Sequence, residues 1–135
     1  MVKKIAIGIL AYNEESHIES VLNEILTLKK DVYVLNDSST DKTMKILEKI
    51  NTSKNFTIIN NLKNEGAGNS TLKLIETIRN DGFDFVIKVD GDNQFKLKDI
   101  NKIIKLHEDN DYDFIKSNRF WERGIEGKIP RSRYF

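Results

Sequence analysis

The chain has no cysteine, which excludes a disulfide framework and any Cys-ligated zinc or iron–sulfur site. Only one of its 135 residues is proline. Hydrophobic content is 39% and charged content 32%, an ordinary globular balance that argues against a disordered chain. No apolar run approaches the ~20 residues a membrane-spanning helix needs. Net charge is +1, so no overall field favours nucleic acid or an acidic membrane surface. Glycine-rich phosphate cradles are missing too. Gly66-Ala67-Gly68 lacks a third glycine at the right spacing and does not follow the first strand, and there is no Gly-Lys-Ser/Thr loop. A phosphate ligand would have to be held mainly through a metal rather than by backbone N–H groups. The amino terminus has a basic start and a short apolar run. Tyr12-Asn13-Glu14-Glu15 follows in place of a small-residue cleavage site, so the reading is a first strand and a cytoplasmic protein.

What is present is an alternation of two periodicities. Lys4 to Leu10, Val32 to Leu35, Phe56 to Ile59 and Phe85 to Val89 are apolar runs of strand type, the first nearly continuous, as in a strand buried on both faces. Between them Ile18/Val21/Leu22/Ile25, Met44/Leu47/Ile50 and Leu72/Ile75/Ile78 recur at helical spacing, and Leu97/Ile100/Ile103/Ile104 follow the fourth run. Asn13 is placed to cap the first helix, with Glu14 and Glu15 in its first turn. Tyr112 to Ile115 reads as a short fifth strand. The pattern predicts an α/β fold, a mostly parallel Rossmann-like sheet with helices on both faces. Right-handed crossovers then gather every strand-to-helix loop on one sheet edge, where ligands bind.

That edge would carry Tyr12-Asn13-Glu14, Asn36-Asp37-Ser38-Ser39 and Asp90-Gly91-Asp92. The last stretch ends an apolar strand in two carboxylates, both ionised at neutral pH. They repel unless a positive group intervenes, and Mg²⁺ or Mn²⁺ suits such hard oxygen donors, shared with substrate phosphates. Asp and Gly also form ordinary turns, so the pair is informative only in company. Glu14 and Asp37 offer acceptors for ribose hydroxyls and base N–H groups, although Glu14 equally suits a helix start. Ser38, Ser39 and Thr40 already supply caps, which leaves Asp37 for function. Lys88 shares a strand face with Asp90 and either neutralises it or marks a solvated face. His17 and His107 read as surface residues, Asn64 and Asn93 as turn residues.

Ile9-Leu-Ala-Tyr-Asn-Glu-Glu15, Asn36-Asp-Ser-Ser-Thr-Asp41, Asn64-Glu-Gly-Ala-Gly68, Val89-Asp-Gly-Asp92 and Ser117-Asn-Arg-Phe120 together resemble the ordered signatures of family 2 glycosyltransferases, with a closest look to the dolichol- or polyprenol-phosphate mannosyltransferase-like branch. The resemblance implies a GT-A fold, a UDP- or GDP-linked sugar donor and a divalent metal, Mg²⁺ or Mn²⁺. It implies donor contacts from Tyr12, Glu14, Asp37 and Asp90, and metal ligation by Asp90 and Asp92, with Asp92 the direct ligand. Leu10 stands where the family usually has Pro, and Asn36 and Ser38 replace the Asp and Gly around Asp37. Asn69-Ser70-Thr71 stands where many members carry a basic residue, with Lys73 a substitute.

Family members run on for about as many residues again, to build an acceptor site and supply a general base. The expectation is therefore a nucleotide-sugar-binding domain over residues 1–119 and an irregular tail, 120–135, leading to a truncated acceptor region. Arg119, Arg123, Arg131 and Arg133 are candidate contacts for a lipid-phosphate acceptor, since Arg suits bidentate oxyanion binding. Trp121 either packs on the core or covers the donor site. The implied activity is metal-dependent sugar transfer to a polyprenyl phosphate or a glycan, at the inner membrane face for a lipid acceptor. The rivals are a nucleotide-sugar-binding fragment without turnover and a nucleotidyltransferase. A missing half would also expose a sheet edge or apolar patch for self-association.

Overall fold

The computed structural model describes residues 3–116. In chain order the elements are β1 (Ile5–Ala11), α1 (Ile18–Leu26), β2 (Asp31–Asn36), α2 (Thr43–Asn51), β3 (Thr57–Asn60), α3 (Ala67–Asn80), β4 (Phe85–Asp90) and α4 (Leu97–Asp109). The four strands form one parallel sheet in the order β3-β2-β1-β4. This is the expected α/β architecture. Two compact units divide at Asn101/Lys102, and α4 begins in the first and ends in the second. The predicted boundary at 119/120 lies outside the described residues. No helix among the described residues is long and apolar enough to cross a membrane.

The strand order determines which helix covers which face. From β1 through β2 to β3 the chain steps one way across the sheet; from β3 to β4 it returns past β2 and β1. Right-handed crossovers then put α1 and α2 on one face and α3 on the other. Side chains agree. Ala6 of β1 and Tyr33 and Leu35 of β2 share a buried cluster with Leu74 and Ile78 of α3. Ile5, Ile7, Ile9, Val32 and Val34 are buried on the alternate parity. Ile7 and Ile9 are wholly buried, each contributing roughly 1.5–3 kcal/mol.

Gly8 lets α3 lie close to β1. A Cβ there would sit 3.0–3.1 Å from Leu74 and Ile78 side-chain carbons. The carboxyl end of α3 is tied down by the Tyr33 hydroxyl, which donates to Asp81 Oδ2 at 2.7 Å.

Some expectations fail. Of the stripe expected to bury α3, Ile78 is buried but Leu72 and Ile75 are exposed, and Leu74 and Ser70 are buried in their stead. Residues 112–115 form no strand, and Tyr112 and Phe114 are exposed. The apolar alternation there is flanked by aspartates and buries neither large aromatic, so it lacks the half-buried face that stabilises a strand. His107, expected at the surface, is 5% exposed. His17 is exposed as anticipated.

Candidate functional site

Strand order locates the site before any side chain is considered. β1 is the point from which the chain departs to either side, with β2 on one flank and β4 on the other. In open parallel sheets the loops leaving two such strands diverge to opposite faces and leave a crevice at their carboxyl ends. Here the crevice lies between Tyr12-Asn13-Glu14 and Asp90-Gly91-Asp92. Hollows of about 540 and 600 Å³ flank α1 and α3, and it is topology and chemistry that mark this site.

The crevice floor is tight. Gly91 N–H donates to Leu10 O at 2.9 Å, continuing the β1–β4 pairing by one residue. A Cβ at Gly91 would lie 3.2 Å from that oxygen, 3.4 Å from Glu14 Cγ and 3.5 Å from Ala11 Cβ. A side chain here would crowd the protein packed around it, and the same contact places Glu14 beside the acidic turn. Glu14 N–H donates to Thr43 Oγ1 at 2.9 Å, and Glu14 Oε2 meets His17 Nδ1 at 3.2 Å. Tyr12 is 45% exposed on the same loop.

Asp90 is exposed and Asp92 half-buried. Asp92 Oδ1 accepts Gln94 N–H at 3.2 Å, with Asn93 in the left-handed region at φ 61°, a tight turn that presents the carboxylate. Lys88 Nζ pairs with Asp90 Oδ1, both exposed residues of β4, so both readings of Lys88 hold. The donor set of two carboxylates suits Mg²⁺ or Mn²⁺, which take hard oxygen ligands and leave positions to phosphate and water. Among the described residues no group of three or more His, Cys, Asp or Glu side chains clusters to complete a metal shell from protein alone.

The neighbouring loops are welded to one another. Asn13 is not the cap of α1: the helix begins at Ile18, after a turn in which His17 and Ile18 N–H donate to Glu14 O. Asn13 instead sits at φ 51°, and its Oδ1 accepts Thr40 N–H at 2.8 Å and Asp41 N–H at 3.3 Å. Its own N–H donates to Ser39 Oγ at 3.0 Å. Asp41 returns the clasp, accepting Glu15 N–H at 3.2 Å and Thr43 N–H at 2.9 Å. Burial would raise the Asp41 pKa, but hydrogen bonds from the Thr43 hydroxyl and N–H and from Glu15 N–H outweigh it and hold the carboxyl below its usual value.

Asp37 is 3% exposed, and its carboxylate is engaged by the β3–α3 turn. Oδ1 accepts Glu65 N–H at 2.8 Å and Asn61 Nδ2 at 2.9 Å; Oδ2 accepts Gly66 N–H at 3.0 Å. Burial pushes its pKa up, yet bonds from Glu65, Asn61, Ser70 and Gly66 prevail and the net shift is downward. Ser38, Ser39 and Thr40 do not cap α2, whose N-cap is Lys42 with no side-chain bond, and Asp37 pins the turn that enters α3. Asn61 then links outward, its Oδ1 accepting Lys73 Nζ at 2.7 Å. Asn64 behaves as a turn residue, its Oδ1 accepting Gly66 N–H at 3.0 Å.

The β1–β4 pairing thus sets the Tyr12–Glu14 and Asp90–Asp92 loops side by side, with Glu14 against Gly91, and Asp37 lies one loop away as a clasp. Arg119, Arg123, Arg131, Arg133, Trp121 and the Ser117–Phe120 stretch lie outside the described residues. Sequence reasoning missed Asn61 and gave Asn36, a member of the second loop, no role of its own; both are 2% exposed. Asn36 Nδ2 donates to Asn60 Oδ1 at 2.8 Å and its Oδ1 accepts Ser39 N–H at 3.3 Å. The available signal was an amide closing each of two neighbouring strand runs.

Against known proteins, the model of "Glycosyl transferase family 2" matches residues 6–134. The uncharacterized protein MJ0544 of Methanocaldococcus jannaschii is 36% identical over 108 residues, 78% of this chain and 47% of that protein. The chain thus spans about half the length of this curated relative. Staphylococcus aureus TarS 1-349 in complex with UDP superposes with a TM-score of 0.60 at 28% identity, over 78% of this chain and 33% of that one. The mannosyltransferase PcManGT of Pyrobaculum calidifontis, in complex with GDP-Man and Mn²⁺, gives 0.58 at 21% identity over 68% and 28%, a likeness of fold.

Proposed function

The chain belongs to glycosyl transferase family 2, and from that premise we propose that the β1–β4 crevice binds a nucleotide-diphosphate sugar whose sugar is passed to an acceptor. The observation that carries the reading is the junction at Gly91, where backbone pairing brings Glu14 and the Asp90–Asp92 turn together at the strand-order reversal. Tyr12 offers an exposed ring to a base, and Glu14 a carboxylate to ribose hydroxyls. Asp37 supports the nucleoside end by fixing the 61–66 turn. Lys73, held on Asn61, is the substitute for the basic residue whose place Asn69-Ser70-Thr71 takes. TarS binds UDP and a mannosyltransferase of like fold binds GDP-Man with Mn²⁺, so a UDP- or GDP-linked donor is the class to test.

Asp92 and Asp90 would hold Mg²⁺ or Mn²⁺, which when bound supplies Lewis-acid neutralisation of the diphosphate leaving group. The protein's own part is to orient the donor and to hold the two carboxylates on a rim fixed by β-sheet pairing. The acceptor in this reading is a polyprenyl phosphate or a glycan. A lipid phosphate is already an ionised nucleophile, for which the Arg119, Arg131 and Arg133 side chains are the proposed partners. A glycan hydroxyl needs a general base within hydrogen-bond reach. Because the chain covers 47% of its archaeal relative, donor binding without turnover by this portion alone is the second reading.

Calorimetric titration with UDP- and GDP-sugars, with and without Mn²⁺, tests both. The expected result is binding that needs Mn²⁺ and weakens at least tenfold in Asp92→Ala, a fold-change of about 1.4 kcal/mol. Nucleotide release on adding acceptor separates transfer from binding alone. Equal affinity in Asp92→Ala would overturn the metal assignment.

A further inference from the structure

Lys88 is a charged residue in an otherwise apolar strand, and it is placed with some care. It pairs in register with Gly8 of β1, the residue over which α3 packs, so its stem rises on the α3 face of the sheet. Val86, two residues earlier on that face, packs against the α3 cluster; Asp90, two residues later, reaches the rim. Strand alternation therefore aligns Val86, Lys88 and Asp90 in one row, and the ammonium ends on Asp90 Oδ1. The Lys88 side chain is 34% exposed against 59% for Asp90, so the lysine is the better anchored partner. No other ion pair is seen on either carboxylate of the acidic turn among the described residues.

We propose that Lys88 is the resident counter-ion of Asp90, competing with a divalent cation for that carboxylate and so setting how tightly the acidic turn takes a metal before the donor arrives. The proposal rests on the metal role given above to Asp90 and Asp92. Two like-charged carboxylates separated by a single residue need a positive neighbour, and Lys88 supplies one from within the fold. A dication approaching Asp90 must displace this ammonium or share the oxygen with it, and meets its repulsion at close range. Once the diphosphate is bound, the same ammonium has an anion to turn to. The acidic turn would then take up metal chiefly together with nucleotide rather than from the free ion pool. Because Lys88 acts through Asp90, it is a positioning residue.

The test is Mn²⁺ binding to the full 135-residue chain without nucleotide, read from the free-Mn²⁺ electron paramagnetic resonance signal. Wild type, Lys88→Met, Lys88→Gln, Lys88→Arg and Asp92→Ala are compared, each checked for the native melting profile. Removing the charge is expected to tighten Mn²⁺ binding roughly tenfold in both Lys88→Met and Lys88→Gln, by the loss of close-range repulsion. Lys88→Arg should restore the wild-type affinity, and raised ionic strength should narrow the gap. Unchanged or weaker binding in both neutral variants, with wild type still binding through Asp92, would overturn the counter-ion role and leave the metal assignment standing. Absence of Mn²⁺ binding from wild type and neutral variants alike would overturn this inference, while the metal assignment is decided by the titration with donor present. Binding seen only in the neutral variants supports it.

Discussion

Asp37 shows how a residue in a functional signature can be, in physical terms, a structural clasp. Its carboxylate is buried and accepts hydrogen bonds from the N–H groups of Glu65 and Gly66 and from the Asn61 amide. Asp37→Asn keeps the size but replaces an acceptor with an NH₂ group facing donors. It should cost about 2–4 kcal/mol at pH 7, measured by urea unfolding. The sign with pH follows from the shift. Asp37 and Asp41 both have folded pKa values below their unfolded ones, so their contribution is present above about pH 4 and is lost as pH falls through the folded values. Wild-type stability should therefore drop on acidification from pH 5 to pH 2, and Asp37→Asn should show a shallower drop. An identical slope in the two proteins would assign the acid sensitivity elsewhere. Gly91 makes the complementary case, a glycine needed for space. Gly91→Ala drives a methyl toward Leu10 O and Glu14, and should cost about 1–3 kcal/mol. Its donor affinity should fall further than its melting temperature implies, because the residue displaced is Glu14.

At the scale of elements, α3 is held at both ends by side chains from elsewhere in the chain. At its start, Gly66 adopts φ 82° under the Asp37 carboxylate. At its end, Tyr33 donates to Asp81, with Phe83 edge-on to the Tyr33 ring at 5.9 Å. Burial, reinforced by the hydrogen bond and charge of Asp81, pushes the Tyr33 pKa up to about 12. A raised tyrosine pKa contributes stability below the unfolded value near 10 and loses it as pH rises toward 12. Absorbance titration should thus show one of the four tyrosines ionising late, together with unfolding. Tyr33→Phe should remove that late step and cost about 1 kcal/mol. All eight elements were legible from periodicity, but the buried side of α3 was not: Ser70, Leu74 and Ile78 are buried, and Leu72 and Ile75 of the expected stripe are exposed. The capping of α1 was not legible, since the true partners of Asn13 are Thr40 and Asp41, 27 and 28 residues away. The fifth strand was over-read for the converse reason: four residues of the right type do not establish that they are buried.

For the whole molecule, the decisive fact is an order of strands that no local pattern contains. The alternation of runs shows that loops gather on one edge. It does not show that β1 lies between β2 and β4, and that is what makes Tyr12–Glu14 and Asp90–Asp92 the two lips of one crevice. The carboxylates were legible by residue type, and their convergence was inferred from a general rule. The Gly91 contact that enforces it came only with the β1–β4 register. If that topology governs binding, a ligand should act on one edge of the sheet alone. Amide hydrogen exchange with Mn²⁺ and a UDP- or GDP-sugar should slow at Tyr12–Glu14 and Gly91–Asn93. It should stay unchanged at the opposite edge, around Lys29–Lys30 and Asp81–Gly82, where the chain enters β2 and β4. Slowing at the amino-terminal edge would contradict a crevice at the strand carboxyl ends. Equal slowing at both edges would indicate global tightening rather than a site, a distinction that melting curves alone do not make.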